Sequence, residues 1–250
     1  MSWLSGQKER GRPEHLLVAS PGRDVVVTAI CLTLTTVVFA AVAEQAVLAH
    51  IQHVDDAWLR LMVSGRSGLV TAVALFFNVL GLVYITLPVR IAIAGFLALR
   101  RAWWHLATFA AAIVLSEALI GTLKRIYDRA RPPGSLVATS GASFPSGHSI
   151  AASVTIVAAV IALVPPGRRR AAWGAAAVAF SVLMAASRAY LGAHWLSDAV
   201  AGVLLGTSCA LLAALVFGLL QRRWAGHQPG GPVRPAGRRA PDPTQPVDRR

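Results

Sequence analysis

Residues that could bind and attack a phosphate group are concentrated in three short motifs. The first is a lysine followed after six residues by Arg-Pro, the second is Pro-Ser-Gly-His, and the third is Ser-Arg, five residues, His, three residues, Asp. In chain order, the functional positions are Lys124, Arg131, Ser146, Gly147, His148, Arg188, His194 and Asp198. Cations, histidines and a carboxylate in this combination are suited to binding an oxyanion and transferring it.

The cationic positions and the serine–glycine pair are suited to holding phosphate oxygens. Lys124, Arg131 and Arg188 have few acids near them in the sequence, and a guanidinium binds phosphate through two parallel hydrogen bonds. Ser146 and Gly147 begin an apolar segment, where the free N–H groups at the start of a helix attract an anion. We therefore expect these five residues to form the phosphate-binding site.

The two histidines and the aspartate are suited to nucleophilic and acid–base catalysis. His194 and Asp198 are spaced i, i+4 and therefore share one side of a helical turn. A carboxylate bonded to one ring nitrogen leaves the other nitrogen free to attack phosphorus. His148 is then available to give a proton to the leaving oxygen. Taken singly, either histidine would more often be an interfacial polar residue, and only their combination predicts catalysis.

Together the motifs resemble the type 2 phosphatidic acid phosphatase superfamily, which includes lipid phosphate phosphatases and, more distantly, vanadium haloperoxidases. Every specified position of the family pattern K-x6-RP, PSGH and SR-x5-H-x3-D is matched. The resemblance implies that His194 forms a phosphohistidine, that Asp198 orients it, and that His148 protonates the leaving group and then activates water. It also implies that the phosphate-binding residues hold the equatorial oxygens without a metal or other cofactor.

The same motifs leave alternatives open. A lipid phosphotransferase would carry the same residues, whereas a non-catalytic lipid transporter would need the cations but not a nucleophile with its acid. Undecaprenyl diphosphate, phosphatidate and phosphatidylglycerol phosphate all fit as substrates. In a bacterial setting, analogy with the family favours undecaprenyl diphosphate. Arg129, outside the strict motif, is a further candidate contact for the phosphate.

The elements that must position these motifs are membrane-spanning helices. The chain is 55% hydrophobic and only 14% charged, against roughly 25% charged for a soluble domain, so its excess apolar surface must face lipid. We expect an all-α, polytopic membrane helix bundle of six transmembrane helices, with interfacial amphipathic helices over residues 51–80 between spans one and two. The predicted spans are residues 25–43, 81–99, 104–123, 149–164, 171–186 and 199–220.

The domain organisation follows from where the apolar runs begin and end. Residues 1–24 are expected to be a cytoplasmic N-terminal tail, 25–221 a six-span phosphatase domain, and 222–250 a disordered, basic, Pro/Gly-rich cytoplasmic tail. The sequence Ala-Val-Ala at 41–43 resembles a signal-peptidase site, but the long polar leader and the long apolar stretch favour an uncleaved anchor.

The distribution of basic residues predicts the orientation. With the N-terminus in the cytoplasm, sixteen Lys and Arg lie on the inner side and seven on the outer side, as the positive-inside rule requires. We therefore expect a multi-pass plasma-membrane protein with its active site on the extracytoplasmic side and a phosphorylated lipid as its partner. The net charge of +13 is spread over the ends of apolar runs, which argues against nucleic-acid binding.

Two charged residues lie inside the predicted spans. Arg90 and Glu117 fall at similar depths of neighbouring antiparallel spans, and isolated charges are costly there, so we expect them to pair. Alternatively, Pro88 bends its span so that Arg90 reaches a water-filled cavity, or Glu117 orients Lys124 from the same helical face.

A small-residue motif and two cysteines are assigned to packing. Gly202 and Gly206 form G-x-x-x-G, for which packing within the bundle is expected rather than a dimer interface. Cys31 and Cys209 lie in apolar runs and are expected to be inert core residues.

Overall fold

The computed structural model describes residues 15–227, which form eight α-helices and contain no strand. The helices are α1 (Pro21–Ala43), α2 (Gln45–Ser64), α3 (Gly68–Leu80), α4 (Val83–Leu99), α5 (Trp103–Tyr127), α6 (Gly147–Leu163), α7 (Arg168–Tyr190) and α8 (Leu196–Gly226). The predicted all-α helix bundle is confirmed.

Helix length and hydropathy identify the membrane-crossing elements. Helices α1, α5, α7 and α8 are long and apolar enough to cross a membrane, and α3 with α4 passes the same test as one pair bent by 52°. Helix α6 has only 17 residues, or about 26 Å at 1.5 Å per residue, and lies largely buried inside the bundle. The six predicted spans correspond to these six units, although α6 is shorter than a usual span and the count is approximate.

The segment between the first two predicted spans differs from expectation. Interfacial amphipathic helices were expected throughout residues 51–80. Helix α2 carries charged residues, but α3 is apolar and bends directly into α4. Helix α3 is more apolar than expected because the charged residues of this region end at Arg66, two residues before α3 begins.

The ends of the described chain are packed against the bundle. Helix α8 continues to Gly226, so residue 222 is too early a start for the predicted disordered tail. The side chain of Arg222 donates hydrogen bonds to the carbonyls of Val18 and Ala19, and Val18 is buried. The segment before α1 is therefore fixed to the end of α8. The remainder of both predicted tails, 1–14 and 228–250, lies outside the described residues.

Helices α6 and α8 approach each other closely at two glycines. A Cβ atom added to Gly202 would lie 2.7 Å from the carbonyl oxygen of Ser146, and one added to Gly206 would lie 2.6 Å from that of Ile150. The expectation that this G-x-x-x-G packs within the bundle is confirmed. The close contact brings the beginnings of α6 and α8, which carry parts of two motifs, to the same end of the bundle.

The two charges inside the bundle form an ion pair, as predicted. Arg90 Nη1 lies 2.7 Å from Glu117 Oε1, and Arg90 Nε donates a hydrogen bond of 2.9 Å to Thr155 Oγ1. Thr155 was not predicted as a partner. The three side chains link α4, α5 and α6.

Candidate active site

The three motifs meet at one end of the bundle, where α5 and α7 end and α6 and α8 begin. Two backbone hydrogen bonds hold the intervening loop of residues 128–146 in place. The N–H of Ser143 donates to the carbonyl of Arg129 at 2.7 Å, and the N–H of Ser146 donates to the carbonyl of Asp198 at 3.1 Å. The loop therefore lies across the start of α8.

His194 is buried in the short connection between α7 and α8, with 3% of its surface exposed. Its Nδ1 lies 2.8 Å from the backbone carbonyl oxygen of Ser143. A carbonyl can only accept, so Nδ1 carries the proton, and this tautomer leaves the lone pair on Nε2. The ring is therefore oriented with its nucleophilic nitrogen directed away from Ser143.

Asp198 lies beside His194, as their i, i+4 spacing predicts, and its Oδ2 makes the closest approach to the ring at Nδ1. The distance from His194 Nδ1 to Asp198 Oδ2 is 3.7 Å, which is too long for a hydrogen bond. Instead, Ser143 connects them: its carbonyl accepts from His194, and its Oγ donates to Asp198 Oδ2 at 2.5 Å. Ser143 was missed because it lies outside the three motifs and only the folded loop brings it to this pair.

Arg131 lies beside the free nitrogen of His194, and both Arg131 and Lys124 are bound by neutral acceptors. Arg131 Nη1 lies 3.3 Å from His194 Nε2 and donates to the carbonyl of Ala193 at 2.7 Å. Lys124 Nζ donates to the carbonyl of Ala142 at 2.6 Å, and Arg131 shares that acceptor. The suggestion that Glu117 orients Lys124 is wrong, because Glu117 pairs with Arg90.

Arg188 and His148 each contain a buried nitrogen that lacks a partner within residues 15–227. These atoms are Arg188 Nε and His148 Nε2. Buried nitrogens of this kind are normally satisfied, and a bound phosphate would supply acceptors for both. Arg188, Arg131 and His194 all lie within electrostatic range of His148, so the four side chains are close to one another.

Helix α3 and the glycine that follows it contribute two residues that the motif analysis missed. The side-chain oxygen of Asn78 accepts a hydrogen bond from Arg188 Nη1. Gly81 lies against the ring of His148 so closely that any Cβ atom there would overlap it. Asn78 is the lone amide in an otherwise apolar helix, and that feature is the one signal in the sequence that could have identified it.

Ser146 and Gly147 form the start of α6. Ser146 is fully buried and its Oγ accepts a hydrogen bond from Ser149 Oγ at 3.0 Å. Its backbone N–H donates to the carbonyl of Asp198. The Ser146 side chain makes no capping bond to the helix, so the backbone N–H groups that begin at Gly147 are not capped by it. The backbone N–H of Ser146 therefore holds the loop against the start of α8, and the N–H groups of the first turn of α6 are left to bind an anion.

Burial sets the protonation state of His194. Desolvation lowers the pKa of His194 to about 4, the charges of Arg131 and Arg188 act in the same direction, and Asp198 opposes them. The ring is therefore neutral at physiological pH and keeps its lone pair. Across residues 15–227, no three His, Cys, Asp or Glu side chains are grouped so that they could hold a metal ion.

Arg129, which the sequence suggested as a further phosphate contact, is bound by acceptors of the protein itself. Its Nη1 donates to Asp198 Oδ1 and Ser197 Oγ, each at 2.7 Å, and its Nη2 donates to Gln52 Oε1 at 2.7 Å and Asp55 Oδ2 at 2.8 Å. These four bonds occupy all four N–H groups of the two terminal nitrogens. Its charge is therefore compensated by carboxylates inside the protein.

Comparison with known sequences shows similarity over part of the chain. The pattern of the PAP2 superfamily matches residues 101–222. A lipid A 1-phosphatase of Rhizobium johnstonii is 37% identical over 116 residues, which cover 42% of this chain and 45% of that protein. A lipid A 1-phosphatase of Rhizobium etli is 36% identical over 116 residues, covering 42% and 47%. The match therefore spans less than half the length of these relatives.

Comparison with solved structures extends the similarity beyond this region. A transmembrane PAP2-type phosphatidylglycerolphosphate phosphatase from Bacillus subtilis superposes with a TM-score of 0.60 and 27% identity, covering 81% of this chain and 98% of that one. Aquifex aeolicus LpxE superposes with a TM-score of 0.52 and 24% identity, covering 62% and 91%. The second likeness shows the fold alone.

Proposed function

We propose that this multi-pass membrane protein, a member of the PAP2 superfamily through its residues 101–222, hydrolyses a phosphate ester or anhydride of a lipid. One observation carries the proposal. A neutral, buried His194 has its Nδ1 proton bound by a carbonyl and its Nε2 3.3 Å from Arg131. This is the arrangement that a nucleophilic nitrogen needs beside the oxygens of a phosphate.

The geometry supports a two-step reaction. The Nε2 lone pair of His194 attacks phosphorus while the bond from phosphorus to the lipid oxygen breaks, and His148 gives that oxygen a proton. His148 then takes a proton from the water that attacks the phosphohistidine, which releases phosphate and restores His194. The negative charge of a bound phosphate favours the protonated His148 that the first step requires.

The charge that develops on the phosphate oxygens would be stabilised by fixed cations and backbone N–H groups. Lys124, Arg131 and Arg188 supply the cations, and the first turn of α6, from Gly147 onward, supplies N–H groups. Because three cations provide this stabilisation, we propose that neither a metal nor another cofactor takes part in the reaction.

An apolar cavity beside the site supports a lipid substrate. A cavity of about 310 Å³ opens between α3, α4, α6 and α7. It begins at Leu80, next to Gly81, and at Ala151, about one turn beyond His148 in α6. Hydrocarbon bound there would place its phosphate close to His148, because the cavity starts where the polar site ends.

The substrate is tested with purified enzyme and a panel of lipids. The names of the relatives suggest lipid A 1-phosphate and phosphatidylglycerol phosphate, to which phosphatidate and undecaprenyl diphosphate are added. We expect phosphate release that EDTA leaves unchanged and that His194→Ala reduces by at least roughly 10³-fold with folding intact. Substantial activity in the mutant, or a strict requirement for Mg²⁺, would contradict the mechanism. Transfer of the phosphoryl group to a second lipid instead of water would identify a phosphotransferase.

We further propose that the site faces the extracytoplasmic side, on the basis of the sixteen-to-seven charge distribution. Single cysteines report on this in a background lacking Cys31 and Cys209. The exposed Ser140 lies in the active-site loop, and the exposed Pro165 lies at the opposite end of α6. Pro165 is preferable to the nearby Gly167, whose φ of 136° would strain a cysteine.

A cysteine at Ser140 should react with an impermeant thiol reagent in intact cells, whereas one at Pro165 should react only after lysis. The reverse labelling pattern would place the active site in the cytoplasm.

A further inference from the structure

We propose that Asp55 and Arg129 are positioning residues that hold Asp198 and, through Ser143, the nucleophile His194. We call Asp55, Arg129 and Asp198 the buried clamp. Asp55 lies in α2, which is outside the residues that match the family pattern. The inference rests on the proposed phosphatase function and makes α2 a working part of the catalytic centre.

The first support is that all three charged groups of the clamp are buried and paired with one another. Arg129 lies 2.8 Å from Asp55 and 2.7 Å from Asp198, and the side chains are 7%, 1% and 0% exposed. Buried charges are tolerated only when they are paired and hydrogen-bonded. Replacing the cation alone would leave two carboxylates facing each other without compensation, so the three groups depend on one another.

The second support is the way Asp55 binds the start of α8. The backbone N–H of Ser197 donates to Asp55 Oδ1 at 2.9 Å, and Ser197 Oγ donates to Asp55 Oδ2 at 2.6 Å. Ser197 is the second residue of α8, where N–H groups have no partner within the helix. A carboxylate from α2 therefore fixes the helix end that carries Asp198.

The third support is that every oxygen of Asp198 is held. Its Oδ1 accepts from Arg129, and its Oδ2 accepts from Ser143 Oγ and from the N–H of Trp195 at 3.0 Å. Ser143 in turn accepts the Nδ1 proton of His194. A chain of contacts thus runs from α2 to the nucleophile, and a shift of Arg129 would be transmitted to the His194 ring.

The position of the clamp separates its role from phosphate binding. Asp198 also lies within electrostatic range of Lys124 and Arg131, the two cations on the phosphate side. Arg129 has no terminal N–H group left for a phosphate oxygen, as its four bonds show. Loss of Arg129 should therefore lower kcat and leave the affinity for phosphate analogues unchanged, because the site loses alignment but keeps its anion ligands.

The test compares Arg129→Gln with two matched variants of the same charge change. Arg125→Gln alters an exposed arginine of the same region and should change nothing. Arg131→Gln alters a residue beside His194 Nε2 and should weaken inhibition by vanadate. Arg129→Gln should lower kcat by roughly 10–100-fold with the inhibition constant for vanadate unchanged.

The double variant provides a signature that loss of folded protein would not give. In Arg129→Gln, the two buried carboxylates of Asp55 and Asp198 face each other without their cation, and their repulsion should displace Asp198. Adding Asp55→Asn removes one of the two charges, which should relieve the repulsion and recover part of kcat. Arg129→Lys keeps the charge but not the four hydrogen bonds, so it should lower kcat less than Arg129→Gln does.

The outcomes separate this inference from the proposed function. A wild-type protein that releases no phosphate from any lipid of the panel overturns both. An active wild type with an equally active Arg129→Gln overturns the clamp alone, as does a kcat loss accompanied by weakened vanadate inhibition. If Arg129→Gln does not fold, Asp55→Asn provides the test, because it removes the charge of Asp55 and leaves the Arg129 side chain intact. An unchanged kcat in Asp55→Asn would refute the clamp.

Discussion

Arg129 and Arg131 are two residues apart in one loop, and their guanidinium groups have opposite environments. Arg129 lies between Asp55 and Asp198, at 2.8 and 2.7 Å. Arg131 donates to backbone carbonyls and lies 3.3 Å from Nε2 of His194. Carboxylates cancel the charge of a guanidinium, whereas carbonyl dipoles satisfy its N–H groups and leave the charge in place. The comparison indicates that the partners of a guanidinium decide whether it holds structure or binds an anion.

The two sides of His194 differ in the same way. On the Nδ1 side, Asp198 is compensated by Arg129, and the ring proton is fixed by the carbonyl of Ser143. On the Nε2 side, the charge of Arg131 is uncompensated by any ion pair in the described part of the chain. The clamp therefore fixes the ring, and the phosphate pocket supplies the electrostatic stabilisation of the transferred group.

The largest effect that tests this comparison is expected from Arg131→Gln. Removing an uncompensated cation beside the reacting phosphate should lower kcat/KM by roughly 10²–10³-fold. Steady-state kinetics with a lipid of the panel measure the loss. An effect no larger than that of Arg125→Gln would show that Arg131 does not contact the phosphate.

A smaller effect is expected from Ser143→Ala. The variant removes the hydroxyl that donates to Asp198 but keeps the carbonyl that accepts from His194. Activity should fall by about 10-fold, because only the indirect link to Asp198 is lost. A loss as large as that of His194→Ala would show that the hydroxyl, rather than the carbonyl, orients the ring.

The pH dependence sharpens the comparison further. The pKa of His194 is lowered to about 4, chiefly by burial, so the nucleophilic neutral form is lost only as the pH falls through that value. Arg131 contributes to the lowering, so Arg131→Gln should raise the pKa and move the acid limb of activity upward. Comparing kcat/KM profiles of wild type and variant on one substrate measures the shift, because the titration of the substrate is common to both. An unmoved limb would contradict the contribution of Arg131.

The smallest effect is expected from the ion pair between α4 and α5. Glu117 is half-exposed, so its pairing with Arg90 should contribute only about 0.5–2 kcal/mol to stability. We expect Arg90→Leu and Glu117→Leu each to lower Tm in detergent, and the double variant to be milder than their sum. Strictly additive effects would show that the contact does not stabilise the bundle. Activity at saturating substrate should be unchanged, unlike that of the clamp variants.

Much of the fold followed from the sequence because lipid imposes simple rules. Apolar runs of sufficient length predicted six of the eight described helices, with ends that differ by at most six residues, and the cost of an isolated charge predicted the pair between Arg90 and Glu117. One error occurred where tertiary contacts override composition. The basic tail was predicted from residue 222, but α8 continues to Gly226 and Arg222 binds the segment before α1.

The sequence by itself determined which residue types can do phosphate chemistry, because their spacing within short segments is a local property. It did not determine which arginine would meet the phosphate. Arg129 and Arg131 are the same residue type in the same loop. The carboxylates that distinguish them, Asp55 and Asp198, lie 74 and 69 residues away from Arg129 along the chain. Only the packing of α2 and α8 against the loop brings these groups together, and the charge of a partner acts through distance in space rather than separation in sequence.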